Sequence, residues 1–304
     1  MTSLFIVLAA LLWASDALFR LPLTQHLSSW VIVFMEHLLA LVFVLPILWR
    51  NWERVKVLNT KQWWSVIFIG VAASALATVA FTASFSYVGP SVAILLQKTQ
   101  PLFTFLLAFL ILRESLPKNF WWWAVVALVG GYLISFPEIV PELSLYNSGA
   151  IGIMLALLAA ILWGSATVFG RFLSRDLPYT LVTALRFIVA LPFLAMILFF
   201  NNSLGAVADI SWRDFWYLVI IMLGPGFGAM YFYYRGLKVT RASVSALLEL
   251  TWPLAAVVLN WIFLHEVLSW VQILGGLMLI GAIAKITIWP SLNKTNYEEA
   301  YNKI

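Results

Sequence analysis

The apolar residues of this chain come in runs long enough to cross a bilayer, and these runs leave little sequence for anything else. A hydrocarbon core about 30 Å thick requires about 20 apolar residues in a helix. Ten windows of that width follow one another, at roughly 3–20, 30–49, 63–84, 91–112, 119–136, 149–169, 179–200, 214–235, 243–263 and 269–289. The breaks between them carry charges, Pro, Gly or Asn, as in Arg50-Asn51-Trp52-Glu53-Arg54, Gly89-Pro90, Pro137 to Pro141 and Asn201-Asn202-Ser203. Lipid offers backbone amides no partner, so each run is expected to be a helix. A transmembrane barrel would show short alternating segments instead. Only 10% of the 304 residues are charged and 63% are hydrophobic, whereas an average soluble domain is roughly 25% charged. A soluble fold could not cover so much apolar surface. A cytosolic enzyme, a disordered chain and a nucleic-acid binder are therefore excluded, and membrane lipid is the expected surroundings.

The charges that remain set an orientation. With the N-terminus placed inside, the inner loops and tail hold 14 of the 18 Lys and Arg, from Arg50, Arg54, Lys56 and Lys61 to Lys294 and Lys303. The outer loops are left with Arg20 and Arg213, and Lys98 and Arg186 fall inside spans. Positive loops stay cytoplasmic, so both termini are expected inside, in a multi-pass protein of the inner (plasma) membrane. Met1-Thr2-Ser3 carries no basic side chain and the apolar run continues to Phe19, so the segment reads as a first span rather than a cleavable signal.

The sequence repeats itself. Leu11-Leu12-Trp13-Ala14-Ser15 matches Ile161-Leu162-Trp163-Gly164-Ser165 at an offset of 150. Ser91 pairs with Ser243, Gln97 with Glu249, Pro101 with Pro253, and Arg113-Glu114 with His265-Glu266, all at 152. Each half then holds five spans, an odd number, so the second must enter the membrane from the opposite face. The expected fold is an all-α integral membrane protein of ten transmembrane helices, arranged as two inverted five-helix repeats. The repeats are assigned to residues 1–140 and 146–290, with a short polar tail at 291–304. Inverted repeats are an architecture of secondary transporters.

The residues that recur in both halves are similar to those of the drug/metabolite transporter superfamily, EamA type. They are Ser84-Phe85-Ser86-Tyr87-Val88-Gly89-Pro90-Ser91, Pro101 and Arg113-Glu114 in the first half, then Arg241-Ala242-Ser243, Pro253 and His265-Glu266 in the second. The resemblance implies a central cavity between the halves and export of amino acids or other metabolites. The stretch Gln97-Lys98-Thr99-Gln100 is more polar than the resemblance leads one to expect.

Ionisable groups inside spans are costly, about 2.5–3.5 kcal/mol each at the centre of a helix on insertion scales. Asp16, Glu36, His37, Lys98, Arg186 and Glu249 must therefore face the interior, and Glu36 is expected to pair with Lys98. Gln97, Gln100, Pro101 and Thr104 share one helical face, as do Glu249, Pro253 and Asn260. Each proline frees a carbonyl one turn earlier, on Gln97 and Glu249. These two faces are expected to line the substrate pathway. Glu249 is the first candidate for a gating or proton-carrying group and Glu36-His37 the second, since histidine titrates near neutrality. Lys98 is read as an anchor for a substrate carboxylate, Arg186 as a helix lock or pathway residue, and Trp13 and Trp163 as stacking surfaces or packing. Tyr231 belongs to the tyrosine cluster at the end of the eighth span, and Trp121-Trp122-Trp123 read as an interface belt. Ala73, Ala77, Ala80 and Ser84, and Gly224 with Gly228, are small-residue stripes suited to close helix packing.

The function this implies is a secondary transporter exporting small metabolites such as amino acids by alternating access, with protons as a candidate coupling ion. An uncoupled, channel-like permease and an intramembrane enzyme are the alternatives. The enzyme lacks its motifs: His265-Glu266-Val267-Leu268-Ser269 is not H-E-x-x-H, and no GxSxG or Walker sequence occurs. With no cysteine and three histidines, no metal or cofactor is expected. The partners are a small-molecule substrate, lipid and protons, and the chain is expected as a monomer or a homodimer.

Overall fold

In the computed structural model the described residues are 4–114, 116, 118–135, 149–255, 258 and 269–288. Among them all regular structure is helical. The polar tail, Asn260 and His265-Glu266 lie outside them.

The first half opens with α1 (Leu4–Ala14) and α2 (Asp16–Thr24), bent by about 40°, then α3 (Ser29–Leu39) and α4 (Leu41–Arg50), bent by 47°. A short α5 (Trp52–Lys56) leads to α6 (Thr60–Ile67), a π-helical stretch at Phe68–Leu76, and α7 (Ala77–Gln97). After a two-residue break come α8 (Gln100–Leu112) and α9 (Lys118–Ser135). The second half holds α10 (Gly149–Asp176) and α11 (Tyr179–Phe200), then α12 (Trp212–Ile221), a second π stretch at Met222–Gly226, and α13 (Phe227–Leu237). It continues with α14 (Ala242–Leu248), a turn at Glu249–Leu250, helical residues 251–255, and α15 (Trp270–Ile288). Thr60–Val88, Gly149–Asp176, Tyr179–Phe200 and Trp212–Leu237 are long and apolar enough to cross a membrane, and each bent pair makes one more such span. Gln100–Leu112, Asn119–Ile134 and Trp270–Lys285 are shorter apolar helices, and the expected span at 243–263 runs beyond the described residues.

The helix breaks answer to the prolines. α7 runs through Gly89-Pro90, where a break was expected, and stops at Lys98-Thr99 instead. Proline loses one helical bond but is well suited to a first turn. Pro101 accordingly sits in the first turn of α8, and Pro253 follows the turn at Glu249–Leu250 in the same manner. The carbonyl expected to be freed at Glu249 is instead taken by the Trp252 amide at 3.0 Å, which closes that break with a short turn.

The helices pack reciprocally across the halves. α1 lies along α13, as α10 lies along α7, while α9 faces α15, α8 faces α14, and α3 and α4 face α11. The small residues Ala73, Ala77, Ala80 and Ser84 are buried, with Ala77 and Ala80 packed against Ala159 of α10. Gly130 and Gly275 let α9 and α15 meet backbone to backbone, since a Cβ on either would come within 2.8 and 2.7 Å of the other's carbonyl. The expected Gly224–Gly228 stripe does not serve this way, because a Cβ on Gly224 would meet nothing within 4 Å. Trp121 and Trp122 are exposed on the outer surface of α9.

The halves are also tied at one end. Arg113 adopts a left-handed conformation (φ 53°) after α8, which turns Glu114 inward to 5% exposure. Its carboxylate accepts from the amides of Ala242 (2.8 Å) and Ser243 (3.2 Å) and from the Ser243 hydroxyl (2.7 Å), capping α14.

Candidate functional site: a central polar cavity walled by aromatic rings

The helix breaks, the two π stretches and the middles of α3, α10 and α11 surround a cavity of about 230 Å³. Trp13, Asp16, Glu36, His37, Gln97, Lys98, Gln100, Pro101, Trp163, Arg186 and Glu249 all line it. Tyr231 and Pro253 do not. Tyr231 bonds instead to the Tyr179 hydroxyl at 3.1 Å, and Pro253 is buried beside the break. The tyrosine that reaches the cavity is Tyr233. A π stretch carries an extra residue per turn and so rotates everything after it, and the one at Met222–Gly226 precedes the helix that carries these tyrosines.

At the bend between α1 and α2, Asp16 sits one turn from Arg20. The Arg20 Nε donates to Asp16 Oδ2 at 2.5 Å, and Nη2 donates to Asp16 Oδ1 and to Glu36 Oε2, both at 3.0 Å. This corrects two expectations. Arg20 is 6% exposed and lines the cavity rather than an outer loop, and Glu36 pairs with Arg20 rather than with Lys98. A carboxylate out of water needs compensating donors, here a cation in hydrogen-bonding geometry, and Arg20 offers a fork that serves two carboxylates. The signal was present in the sequence, since Asp16 and Arg20 stand at i,i+4. Gly226 makes room for the pair: a Cβ there would lie 2.7 Å from Glu36 Oε1.

A second network holds His37. Its Nδ1 lies 2.7 Å from the Val33 carbonyl, which can only accept, so Nδ1 carries a proton. Nε2 meets the Ser74 hydroxyl at 3.0 Å, and that oxygen accepts from Arg186 Nε at 3.2 Å. Arg186 Nη1 donates to the Tyr234 hydroxyl at 3.1 Å. Ser74 belongs to the first π stretch, as does Ala73, whose carbonyl accepts from Trp163 Nε1 at 3.0 Å. Sequence reasoning missed Ser74 because one serine in an apolar run reads as packing.

The third cluster joins the halves. Gln97 donates to Gln100 at 2.6 Å, Gln100 donates to Glu249 Oε2 at 2.8 Å, and the Tyr233 hydroxyl donates to Glu249 Oε1 at 2.9 Å. Among the described residues no cation pairs with Glu249 and no carboxylate pairs with Lys98. Lys98 is 8% exposed, and its Nζ stands 4.0 Å above the Trp252 ring, a contact worth about 0.5–2 kcal/mol. The rings complete the wall: Trp13 leans on Tyr233 with centroids 5.4 Å apart, Phe81 meets Trp163 at 5.1 Å, and Phe85 and Phe187 stand nearby. Among the described residues no group of His, Asp and Glu is arranged to hold a metal.

A helical membrane protein built round an aromatic-walled cavity into which a set of polar side chains converges has the form of a solute transporter. The model of the EamA-like transporter family matches residues 1–136 and again 150–288, and the chain belongs to that family. It is 31% identical to the riboflavin transporter ImpX of Fusobacterium nucleatum over 94% of this chain and 97% of that protein. It is 24% identical to the uncharacterized transporter YwfM of Bacillus subtilis over 96% of each. A crystal structure of a protein 17% identical shares the fold with a TM-score of 0.76, over 93% of this chain and 95% of that one.

Proposed function

We propose that this transporter carries a small heteroaromatic solute of the flavin class by opening the central cavity alternately to the two sides of the membrane. The observation that carries this reading is the wall itself. Trp13, Phe81, Trp163, Tyr233 and Trp252 offer faces and edges for a planar ring, and Gln97, Gln100, Lys98 and Glu249 offer the polar fittings that fix orientation. The relation to a riboflavin transporter supports the same class. In this reading residues 1–140 and 146–290 act as inverted elements around a fixed site, both termini are cytoplasmic by the excess of inner Lys and Arg, and the chain works without a cofactor. Glu249 is the coupling group. It accepts from two neutral donors and has no counter-cation among the described residues, so it can take a proton without stranding a buried cation.

Purified protein in liposomes, loaded or bathed with riboflavin, tests this reading by flavin fluorescence in both directions. Saturable flux absent from empty liposomes supports it, and flux equal to empty liposomes in both directions overturns it. A second reading, amino acid export, is favoured by one observation: Lys98 and Glu249 are opposite charges in the same cavity that, among the described residues, have no ionic partners, as the two ends of a zwitterion require. Inhibition of the flux by a panel of amino acids, with no inhibition by flavins, would select it.

A further inference from the structure

A second crevice, of about 370 Å³, opens on the flank of the molecule where α4, α5 and α6 meet α11. Leu48, Trp52, Trp63, Leu185, Ile188 and Val189 line it, and Lys56 is its one charged wall residue. The chain that frames it, residues 48–63, carries Arg50, Arg54, Lys56 and Lys61 against the single acid Glu53. All four cations are exposed, and among the described residues only Lys56 of the four is ion-paired, to Glu53 at 2.8 Å. Trp49, Trp52 and Trp64 are exposed beside them, as suits a segment at headgroup depth. The matching segment of the second half, residues 200–215, carries one cation, Arg213, against Asp209 and Asp214.

We propose that this crevice is a binding site for an anionic phospholipid, with an acyl chain lying against Ile188 and Val189 and the headgroup phosphate held by Arg54, Lys56 and Lys61. An apolar slot with Lys56 in its wall, and with Arg54 and Lys61 exposed close to it along the chain, fits a molecule that is apolar at one end and anionic at the other, and basic pockets between membrane helices recognise such lipids. A free phosphate would use the cations and leave the slot empty. A neutral phospholipid would use the slot and leave the cations without a partner. The site is separate from the central cavity, and its existence does not depend on which solute is carried.

The test is native mass spectrometry of the full chain exchanged from mixed phosphatidylglycerol and phosphatidylcholine micelles. The wild type is expected to retain phosphatidylglycerol over phosphatidylcholine by at least about fivefold. The variant Arg54→Gln, Lys56→Gln, Lys61→Gln, with its helicity checked by circular dichroism, is expected to lose that preference. Ile188→Trp fills the slot and leaves every cation in place, and is expected to lower phosphatidylglycerol retention about fivefold. Equal retention of the two lipids by the wild type overturns the proposal, as does a charge variant that keeps its preference, or Ile188→Trp retaining phosphatidylglycerol as the wild type does. Inorganic phosphate that displaces phosphatidylglycerol completely at millimolar concentration also overturns it, since the slot would then contribute nothing.

Discussion

Gln100 donates its side-chain amide to the Glu249 carboxyl at 2.8 Å, so the helix break of the first half holds the break of the second by a hydrogen bond. The residue matching Glu249 in the repeat is Gln97. The two breaks are therefore alike in backbone and unlike in charge: the first presents the cation Lys98 and the second the carboxylate Glu249.

Glu249→Gln removes the carboxylate from the second break and leaves Lys98 in the first. Flux driven by a proton gradient is expected to fall about tenfold or more, equivalent to about 1.4 kcal/mol, and to lose its response to the gradient. Exchange of labelled for unlabelled solute at equal pH is expected to continue. Both are read in the same liposomes, and an unchanged gradient response in the variant removes Glu249 as the coupling group.

Arg20→Met leaves Glu36 buried, and Asp16 partly buried beside it, without their cation. Breaking a buried ion pair from one side costs about 3–5 kcal/mol, so the thermal midpoint in detergent is expected to fall steeply. Adding Asp16→Asn and Glu36→Gln removes the stranded charges and should recover most of that loss. A triple variant no more stable than Arg20→Met would mean that the triad is not a closed electrostatic unit.

Glu114→Gln keeps the shape of the α14 cap but replaces one acceptor oxygen with an NH2 group facing a donor. A hydrogen bond to a charged group contributes about 1.5–3 kcal/mol, and the variant is expected to lose stability in that range. Glu114→Ala should lose more. Thermal unfolding followed by tryptophan fluorescence measures both, and a wild-type midpoint for Glu114→Ala would exclude the cap as a structural tie.

The glycines predict a contrast. Gly130→Ala drives a methyl to 2.8 Å from the Gly275 carbonyl, and overpacking of this kind costs about 1–3 kcal/mol. Gly281→Ala, within α15, meets nothing within 4 Å and removes a flexible residue from a helix, for a gain of about 0.5–1 kcal/mol. Midpoints that move in the same direction for both variants would contradict the packing described.

Much of this was legible in the sequence, because lipid imposes a simple rule: length and apolarity give helices, and polar residues within them turn inward. Asp16, Glu36, Lys98, Arg186 and Glu249 were found on that ground, and all five line the cavity. Arg20 escaped because a charge near the end of an apolar run looks like a loop residue, although its spacing from Asp16 marked it as a helical partner. Tyr233 reads with Tyr231 and Tyr234 as one cluster at the end of the eighth span, and nothing in three near-adjacent tyrosines says which of them enters the cavity. The true break at Lys98-Thr99 was displaced to Gly89-Pro90 because proline was read as ending a helix, when Pro101 in fact begins one. The partnership of Ser74 with His37 and Arg186 depends on three helices meeting, which no spacing within one chain segment encodes.

Glu114 has a consequence for the chain as a duplicated object. The carboxylate that finishes the α14 helix end is supplied by the other half, through the left-handed turn at Arg113. A polypeptide cut between the halves would therefore yield two fragments that each lack something: one an anion in need of donors, the other a helix start in need of an acceptor. Neither deficit can be met by hydrocarbon, so fragments produced separately have a reason to find each other and little means of persisting apart.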